Sequence, residues 1–498
     1  MKRQKRFQTH LLVAVAACLI FAGTGSRAAT DETAIRAELR ALANGPVIKD
    51  WQKQVGAVTR PTGTNQFIVR AKGDGETVCT REIQSAIDAC AAAGGGVVEF
   101  EPGTYVTGSL FLKSNVNFHV AKDVTLLGAL DDDSWPIIHT RVAGIETDWR
   151  AAMINVRGQE NVAITGEGTL NARGKRFWDK FLNALPGYDQ KNLRWAIDYD
   201  IMRPHMVQIY ESRNVTLQGL TLQNPPFWTV HVVFCKTVTV EGVTVRANLE
   251  GKGPSTDGVN IDSSAFCLVQ NCDVDNNDDD YSFKSGMNAD GLRVNLPCQY
   301  CLFRNNIARS GFGVITLGSD MSGGIQHVEA YGMKGIGTRE GIRFKSAKVR
   351  GGVAQDAFIH DVTLENVATA ISINLNWFPT FSYPVIPAGY SNVPPVWKIL
   401  ATKVPAEKGI PHYRDITITD VKATGSKIGI RAEAYPDAPI ERITLKHVNI
   451  EAQAAGSIQF AKDWTFEDVK IVGAGTKNKT VTVTNCIGVT MPAIHSEP

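Results

Sequence analysis

Four aspartates are the strongest candidates for catalytic residues in this sequence. Asp257 stands by itself, and Asp278, Asp279 and Asp280 follow as three consecutive carboxylates. Because neighbouring like charges repel, at least one of these side chains should hold its proton more tightly than a free aspartate, as a general acid requires. The step from Asp257 to Asp278 is about the length of one coil of a solenoid. The two carboxyl groups are therefore expected to face each other.

This spacing indicates a hydrolytic reaction. An inverting glycoside hydrolase keeps its two carboxyl groups about 6.5 to 9.5 Å apart, which leaves room for the attacking water. Strands one or two spacings apart would place Asp257 and Asp278 near that separation. We expect single-displacement hydrolysis without a metal or another cofactor. A solvated acidic turn or a cation site is the alternative, and the run Asp278 to Asp280 would favour it if it stood alone.

Strand alternation allows two neighbouring aspartates to face one cleft only if the chain bends between them. Asn276-Asn277, just before the acidic run, makes such a turn plausible. Beyond the bend, Tyr281 and Phe283 are expected to point inward and Asp280 to point outward.

Two cations further along the chain could hold an acidic substrate. Arg343 and Lys345 flank Phe344, so the period of two in a strand would place both cations on one face. A guanidinium fork beside an ammonium group suits a carboxylate, and uronic acids are the sugars that carry one. Weaker candidates for flanking subsites are Lys284, Asp280, His231 and Arg293.

Short β-branched segments between polar turns must position these side chains. Matching positions in successive segments recur at steps of 238 − 215 = 23, 267 − 238 = 29, 301 − 267 = 34 and 443 − 416 = 27. A loose period of this length, with strands and no helices between them, predicts an all-β solenoid, the parallel β-helix. Residues one coil apart then become neighbours at roughly 4.8 Å.

Other segments are predicted to close and flank this solenoid. The alanine-rich residues 31–44 indicate a helix. A second helix, N-capped by Thr80 and with Ile83, Ala86, Ile87 and Cys90 on one face, is expected to cover the open end. Two aromatic-rich stretches, residues 131–202 and 375–412, interrupt the coils. They either pack over the outside or wall one end of a groove, where their rings would stack on sugars.

The segment 1–28 has the pattern of a secretory signal. Lys2, Arg3, Lys5 and Arg6 precede a short apolar run and a small-x-small site that ends at Ala28. We therefore predict a secreted or periplasmic protein with a signal peptide (1–28), an N-terminal segment (29–78) and a β-helix catalytic domain (79–498). No later segment is apolar and long enough to predict a membrane span.

Charge and cysteine content limit the partners. The chain has a net charge of +2 and the leader holds five basic residues and no acid, so 2 − 5 leaves −3 for the remainder. This balance argues against a nucleic-acid partner, and specific cations in a cleft must hold an anionic substrate. Eight cysteines after the leader are too few for a disulfide scaffold, and the lone pair Cys298 and Cys301 does not predict zinc. Cys267 and Cys272 either bridge or are simply buried. We expect a monomer.

Together these motifs resemble the polygalacturonase family, glycoside hydrolase family 28, over roughly residues 80–448. The usual family forms are NTD, a DD pair before an apolar strand, GHG and RIK. This chain has STD ending at Asp257, Asp278-Asp279, Gly311-Phe312-Gly313 and Arg343-Phe344-Lys345. The resemblance implies a right-handed β-helix that hydrolyses galacturonosyl linkages in a pectic polysaccharide or oligosaccharide. It also implies that Asp278 is the general acid and that Asp257 and Asp279 hold and activate water.

The departures from these forms keep alternatives open. Phe312 replaces the family histidine, and an apolar ring would suit the methyl group of a 6-deoxy sugar, as in a rhamnogalacturonan hydrolase of the same family. The long loops favour a groove that is closed at one end, and therefore exo action. A β-helical pectate lyase is a second alternative, which would need calcium and an arginine base such as Arg343 or Arg293. A carbohydrate-binding solenoid without catalytic activity is the third alternative. It is considered because Phe312 replaces the family histidine.

Overall fold

The protein is a right-handed parallel β-helix, as the coil pattern and the motifs predicted. The computed structural model describes residues 32–475 and 479–491, and the predicted signal peptide lies outside the described residues. Thirty-two of the described strands pair in one continuous parallel sheet that winds around the axis. A separate antiparallel hairpin is formed by Ile137–Val142 and Ile145–Arg150.

Each coil contributes strands to three faces of the solenoid. The face that carries the aspartates, here called the site face, contains Leu110–Leu112, Ile154–Arg157, Val207–Tyr210, Val230–Val233, Val259–Asp262, Asp279–Lys284, Gly313–Gly318, Glu340–Lys345, Thr369–Asn374 and Thr482–Thr484. The second face contains Gln66–Ile68, Gly96–Glu99, Val116–His119, Glu160–Thr165, Arg213–Gln218, Lys236–Glu241, Leu268–Gln270, Cys298–Arg304 and Ala461–Lys462. The third contains Asp74–Val78, Gly103–Thr107, Val124–Gly128, Thr169–Asn171, Thr221–Gln223, Thr244–Arg246, Asp273–Asp275 and Ile307–Arg309.

Longer strands and a few helices complete the described chain. The strands that run through more than one face are Ile325–Ile336, Val353–Glu365, His412–Glu433, Ile440–Gln459 and Thr465–Gly473. The α-helices are Ala34–Asn44, Thr80–Ala92, Lys175–Gln190, Arg194–Asp200, Asn288–Val294, Pro379–Ser382, Pro395–Leu400 and Ala406–Gly409. Among the residues described, no helix has the length and apolar character needed to cross a membrane.

The register of the coils follows the steps read from the sequence. Val215 pairs with Val238, and Leu268 pairs with Leu302, each across one of the predicted steps. Apolar side chains alternate inward and stack from coil to coil. On the site face this inward column consists of Val207, Val230, Val259, Tyr281, Ile315, Ile342 and Ile371.

The same alternation turns polar side chains outward on the site face. Their column, one residue further along each strand, consists of Gln208, His231, Asn260, Ser282, Thr316, Arg343 and Ser372. Period-two alternation therefore builds the floor of a polar groove directly over the apolar core.

The predicted capping helix is present at the N-terminal end as Thr80–Ala92, with Ile83, Ile87 and Cys90 buried in the main core. Cys79, not Thr80, precedes the helix. The Thr80 hydroxyl instead accepts a hydrogen bond from the Gly108 amide at 2.8 Å, which ties the helix to the solenoid.

Two insertions interrupt the coils and meet each other. The predicted interruption at residues 131–202 is discontinuous, because three coil strands lie within residues 154–171. Its second part forms the helices Lys175–Gln190 and Arg194–Asp200. The indole N–H of Trp397, from the insertion at residues 375–412, donates to Asp200 at 2.8 Å, and its ring packs on Trp195 at 5.2 Å.

The cysteines of the described chain are all free thiols. Cys267 and Cys272 are buried in the main core and do not bridge, which decides between the two alternatives that the sequence left open.

Candidate active site

The stacking of coils brings three of the aspartates together. Val259 pairs with Tyr281 on the next coil, and two residues earlier Asp257 lies opposite Asp279. The Gly258 amide donates to the carbonyl of Asp279 at 2.9 Å. One carboxylate oxygen from each of Asp257, Asp278 and Asp279 lies within 4.8 Å of the other two. This separation is shorter than the spacing of about 6.5 to 9.5 Å expected from the sequence, because the two strands are immediate neighbours. The carboxyl spacing is therefore not an argument for inversion in this structure.

A bend before the strand Asp279–Lys284 lets two consecutive aspartates face the same groove. The side-chain amide of Asn276 donates to the carbonyl of Asp279, and its oxygen accepts from the amide of Asp278, both at 2.9 Å. The turn expected at residues 276–277 is therefore stabilised by a side chain. Beyond it, Tyr281 and Phe283 point into the core, as strand alternation predicted.

Asp280 lies apart from the other three carboxylates. It is fully buried, and both of its carboxyl oxygens lack a hydrogen-bond partner among the described residues. A Cβ placed on Gly311 would lie only 2.2 Å from Asp280 Oδ2, so the carboxyl group fills the space above that glycine. Burial and the charge of Asp279 raise the pKa of Asp280 well above its usual range. The outward position expected for Asp280 is wrong, because the bend turns Asp279 to the groove instead.

Asp279 is held between the two cations of the predicted substrate grip. Its carboxylate lies 2.6 Å from Arg343 Nη1 and 2.7 Å from Lys345 Nζ. Lys284 Nζ lies 3.5 Å from Asp257 and 3.6 Å from Asp279. These side chains are no more than 5% exposed, so their charges are screened very little by solvent.

The three carboxyl groups consequently ionise differently. Burial would raise the pKa of Asp279, but the charges of Lys345, Arg343 and Lys284 outweigh it and lower that pKa below its usual range. Burial and the charge of Asp279 raise the pKa of Asp278. Burial and the charge of Asp278 raise the pKa of Asp257 to about 8. Asp279 is therefore the carboxyl group of the cluster that is held in its ionised form, whereas Asp257 and Asp278 bind their protons more tightly than a free aspartate does.

Asp278 is the most accessible of the three clustered carboxyl groups. Asp278 is half-buried, whereas Asp257 is 3% exposed and Asp279 is fully buried. An accessible carboxyl group with a raised pKa beside one with a lowered pKa is the arrangement that general acid–base catalysis requires. Asp257 and Asp279, two of the three residues that could hold a metal ion, are already paired with Lys284, Arg343 and Lys345, which disfavours a divalent cation here.

Gly313 makes the contact between Arg343 and Asp279 possible. The strand Gly313–Gly318 lies between the strands that carry these two residues. A Cβ on Gly313 would lie 2.4 Å from the Thr316 hydroxyl, 2.9 Å from Arg343 Cδ and 3.2 Å from Asp279 Oδ1. Because the middle strand has no side chain at this point, the guanidinium reaches across it to the carboxylate.

Two other predicted residues lie elsewhere. His231 is buried, and its Nε2 lies 3.3 Å from Asp262, which also lies 3.4 Å from Arg141 of the hairpin. Burial lowers the pKa of His231, which favours its neutral form. Together with Asp262 it helps to hold Arg141, and so the hairpin, against the solenoid. Arg293 is exposed and pairs with Asp290 at 2.7 Å and Glu146 at 2.6 Å. Among the hydrogen bonds and ion pairs of the described chain, neither residue contacts Asp257, Asp278, Asp279 or Asp280.

Sequence reasoning missed a buried arginine that holds the turn before Asp257. Arg203 is fully buried between the rings of Phe181 and Phe227, each 4.5 Å away. It donates to the carbonyl of Pro254 and pairs with Asp198 at 2.7 Å. No local pattern signals this role, because its partners come from an insertion and from another coil.

We predict that Gly313→Ala destabilises the fold by about 1–3 kcal/mol, because the added methyl group overpacks a buried charged site. Urea denaturation gives the free energy of unfolding. The matched control is Gly187→Ala, at an exposed helical position where a Cβ meets no atom within 4 Å. That substitution should leave stability unchanged or raise it slightly. Equal unfolding free energies for the two variants would contradict the role assigned to Gly313.

The sequence is similar to those of known glycoside hydrolases. The sequence profile of "Glycosyl hydrolases family 28" matches residues 112–385, more than half of the chain. A probable polygalacturonase of Vitis vinifera is 28% identical, with 83% of this chain and 78% of that protein covered. An exo-poly-alpha-D-galacturonosidase of Dickeya chrysanthemi is 25% identical, with 80% and 69% covered.

A solved structure shows the same architecture. The hyperthermoactive exopolygalacturonase from Thermotoga maritima superposes with a TM-score of 0.68 and is 25% identical, over 87% of this chain and 95% of that one. The matched region contains all three clustered aspartates as well as Arg343 and Lys345. From the profile match and these relatives, the chain belongs to glycosyl hydrolase family 28 and is an O-glycosyl hydrolase.

Proposed function

We propose that this protein hydrolyses galacturonosyl linkages in pectic polysaccharide or oligosaccharide, by exo action and with inversion, without a metal. The observation that carries the proposal is the buried Asp279 carboxylate, which two cations hold within a cluster that also contains Asp278 and Asp257, whose pKa values are raised. The polygalacturonases among its relatives support this substrate class. Export by the signal peptide predicted for residues 1–28 would bring the enzyme to such polymers outside the cytoplasm.

In the proposed reaction, Asp278 is the general acid. It donates its proton to the oxygen of the scissile linkage, and the leaving sugar departs as an alcohol. Asp279, with Asp257 beside it, accepts a proton from the water that attacks the anomeric carbon. Direct attack by Asp279 on the anomeric carbon would require its carboxylate to leave Arg343 and Lys345, whereas accepting a proton from water leaves both ion pairs in place. Attack by water in a single step inverts the anomeric configuration.

The same cations would bind the uronate of the reacting sugar. Arginine has five N–H donors and lysine has three, so Arg343 and Lys345 retain donors beyond those directed at Asp279. The indole ring of Trp377 lies 4.5 Å from Lys345 Nζ and is half-buried, so it places an aromatic surface beside these cations. A galacturonate at this point would have its carboxylate bound and one apolar face covered.

Exo action is favoured by the wall that the two insertions build. Arg194 lies 5.0 Å above the ring of Phe378, and the Trp397 indole is hydrogen-bonded to Asp200. The joined insertions reach the site through Trp377 on one side and contact Arg203 on the other. A wall of this kind closes one end of a groove to a continuing polymer chain.

A rhamnogalacturonan hydrolase of the same family is a second candidate. Phe312 donates its backbone N–H to the carbonyl of Asp278 at 2.6 Å, so a half-buried phenyl ring stands beside the proposed acid. Such a surface would accept the methyl group of a 6-deoxy sugar. Activity on rhamnogalacturonan fragments that exceeds activity on homogalacturonan would favour this candidate.

We predict that the protein releases new reducing ends from homogalacturonan oligomers and that Asp278→Asn lowers kcat by about 10²–10⁴-fold, because an amide cannot donate the proton. Asp123→Asn, at an exposed position outside the cluster, is the control and should behave as wild type. Proton NMR of the first product formed would show the inverted anomer.

Several outcomes would overturn this proposal. Equal rates for wild type and Asp278→Asn would remove the assigned acid. A product with the retained configuration would require a covalent intermediate. Unsaturated products that absorb in the ultraviolet, together with loss of activity on chelation, would indicate a lyase instead.

We predict that Lys345→Met moves the alkaline limb of the profile of kcat/KM against pH upward, by about one pH unit or more. Loss of the positive charge raises the pKa of Asp278, so the acid stays protonated to higher pH. Lys348→Met, which removes a cation paired with the exposed Asp437, should leave the profile unchanged. An unshifted profile for Lys345→Met would contradict the assigned electrostatics.

We predict that reducing ends accumulate from polygalacturonate while the viscosity of the solution stays nearly constant. Exo action removes sugars from one end, so the average chain length changes slowly. Chromatography should show products of a single small size from the earliest times. An endo-acting polygalacturonase, assayed in parallel, provides the reference for a rapid fall in viscosity. The same rapid fall with this protein would rule out the closed groove.

A further inference from the structure

A column of three residues leads away from the proposed acid along the solenoid axis. The Phe312 amide donates to the carbonyl of Asp278 at 2.6 Å. On the following coil the Arg339 amide donates to the carbonyl of Gly311 at 2.8 Å. Asp278, Phe312 and Arg339 therefore stand on successive coils, and Arg339 is two coil spacings, about 9–10 Å, from the acid.

Phe312 presents its ring to this column and not to the core. It is half-buried and is absent from the three hydrophobic clusters of the described residues. The guanidinium carbon of Arg339 lies 5.4 Å from the centre of its ring. The two side chains thus form one composite surface, with an apolar face and a positive edge.

Arg339 differs from the other cations near the site. Arg343 pairs with Asp279 and with Glu340, each at 2.6 Å, and Lys284 and Lys345 also lie within ion-pair distance of Asp279. Arg339 is exposed, and no carboxylate of the described chain lies within ion-pair distance of its guanidinium. Its charge is therefore free to meet an anion from solution.

We propose that Phe312 and Arg339 form a subsite for a second uronate residue of the substrate, next to the sugar that reacts. The ring of Phe312 packs against the C–H face of that sugar, and the guanidinium of Arg339 binds its carboxylate through two parallel hydrogen bonds. The subsite rests on the proposed pectic substrate and makes it more specific. It requires a free carboxylate two coils from Asp278, which a methyl-esterified or carboxyl-reduced sugar does not supply.

Binding in the absence of turnover tests this subsite. The probe is trigalacturonate, titrated calorimetrically into the full-length Asp278→Asn protein and into the same protein with Arg339→Gln added. Carboxyl-reduced trigalacturonate is the second probe. Arg339→Gln should weaken binding of trigalacturonate about tenfold or more, since a hydrogen-bonded charge pair is lost, and leave binding of the reduced probe unchanged.

Further variants separate charge from stacking. Phe312→Ala should weaken binding of both probes, because the apolar contact does not depend on the carboxylate. Arg81→Gln, which removes an exposed charge on the capping helix, should change neither. Circular dichroism of each variant checks that the fold is kept.

The binding experiment tests the subsite independently of the proposed hydrolysis. Binding that depends on Arg339 supports the subsite even if wild type cleaves no galacturonan. Equal affinities with and without Arg339, or no detectable binding of trigalacturonate, overturn the subsite even if hydrolysis proceeds as proposed.

Discussion

The stacking of successive coils at the hydrogen-bonding distance of a parallel sheet is the constraint on which the whole site depends. Asp279 and Lys345 are far apart in sequence, yet two coils of stacking place their charged atoms 2.7 Å apart. No turn or helix could hold charged groups from several separate coils in this relation. The backbone ladder fixes the spacing along the axis, and strand alternation fixes which side chains face the groove.

Within that frame, buried charge decides the chemistry. Three carboxyl groups in a poorly solvated place would all tend to remain protonated. Arg343, Lys345 and Lys284 oppose this effect most strongly at Asp279, so one carboxylate stays ionised while Asp257 and Asp278 keep their raised pKa values. A difference in ionisation between neighbouring groups of the same type is what an acid–base pair needs, and it arises here from the unequal distances to the cations.

The ion pairs of Asp279 with Arg343 and Lys345 also argue against the alternatives to hydrolysis. A calcium-dependent lyase needs carboxylate oxygens that are free to bind the ion, whereas those of Asp279 are held by Arg343 and Lys345. A solenoid that only binds carbohydrate would gain nothing from a buried cluster of like charges, which is costly unless its members are used. The two insertions contribute in a different way. Their aromatic residues pack on each other, and Trp377 extends to Lys345 without contacting the aspartates directly.

The sequence by itself determined the fold, the family and the coil register. The expected steps are found in the pairing of Val215 with Val238 and of Leu268 with Leu302, because stacking and alternation leave a periodic trace in the residue types. The motifs also identified the side chains that meet at Asp279. Only the tertiary structure showed that Asp280 turns inward, that Gly313 opens the path for Arg343, and that Arg203 fixes the turn before Asp257. These features depend on a bend within one strand and on contacts with inserted segments, and such contacts have no period that a sequence could display.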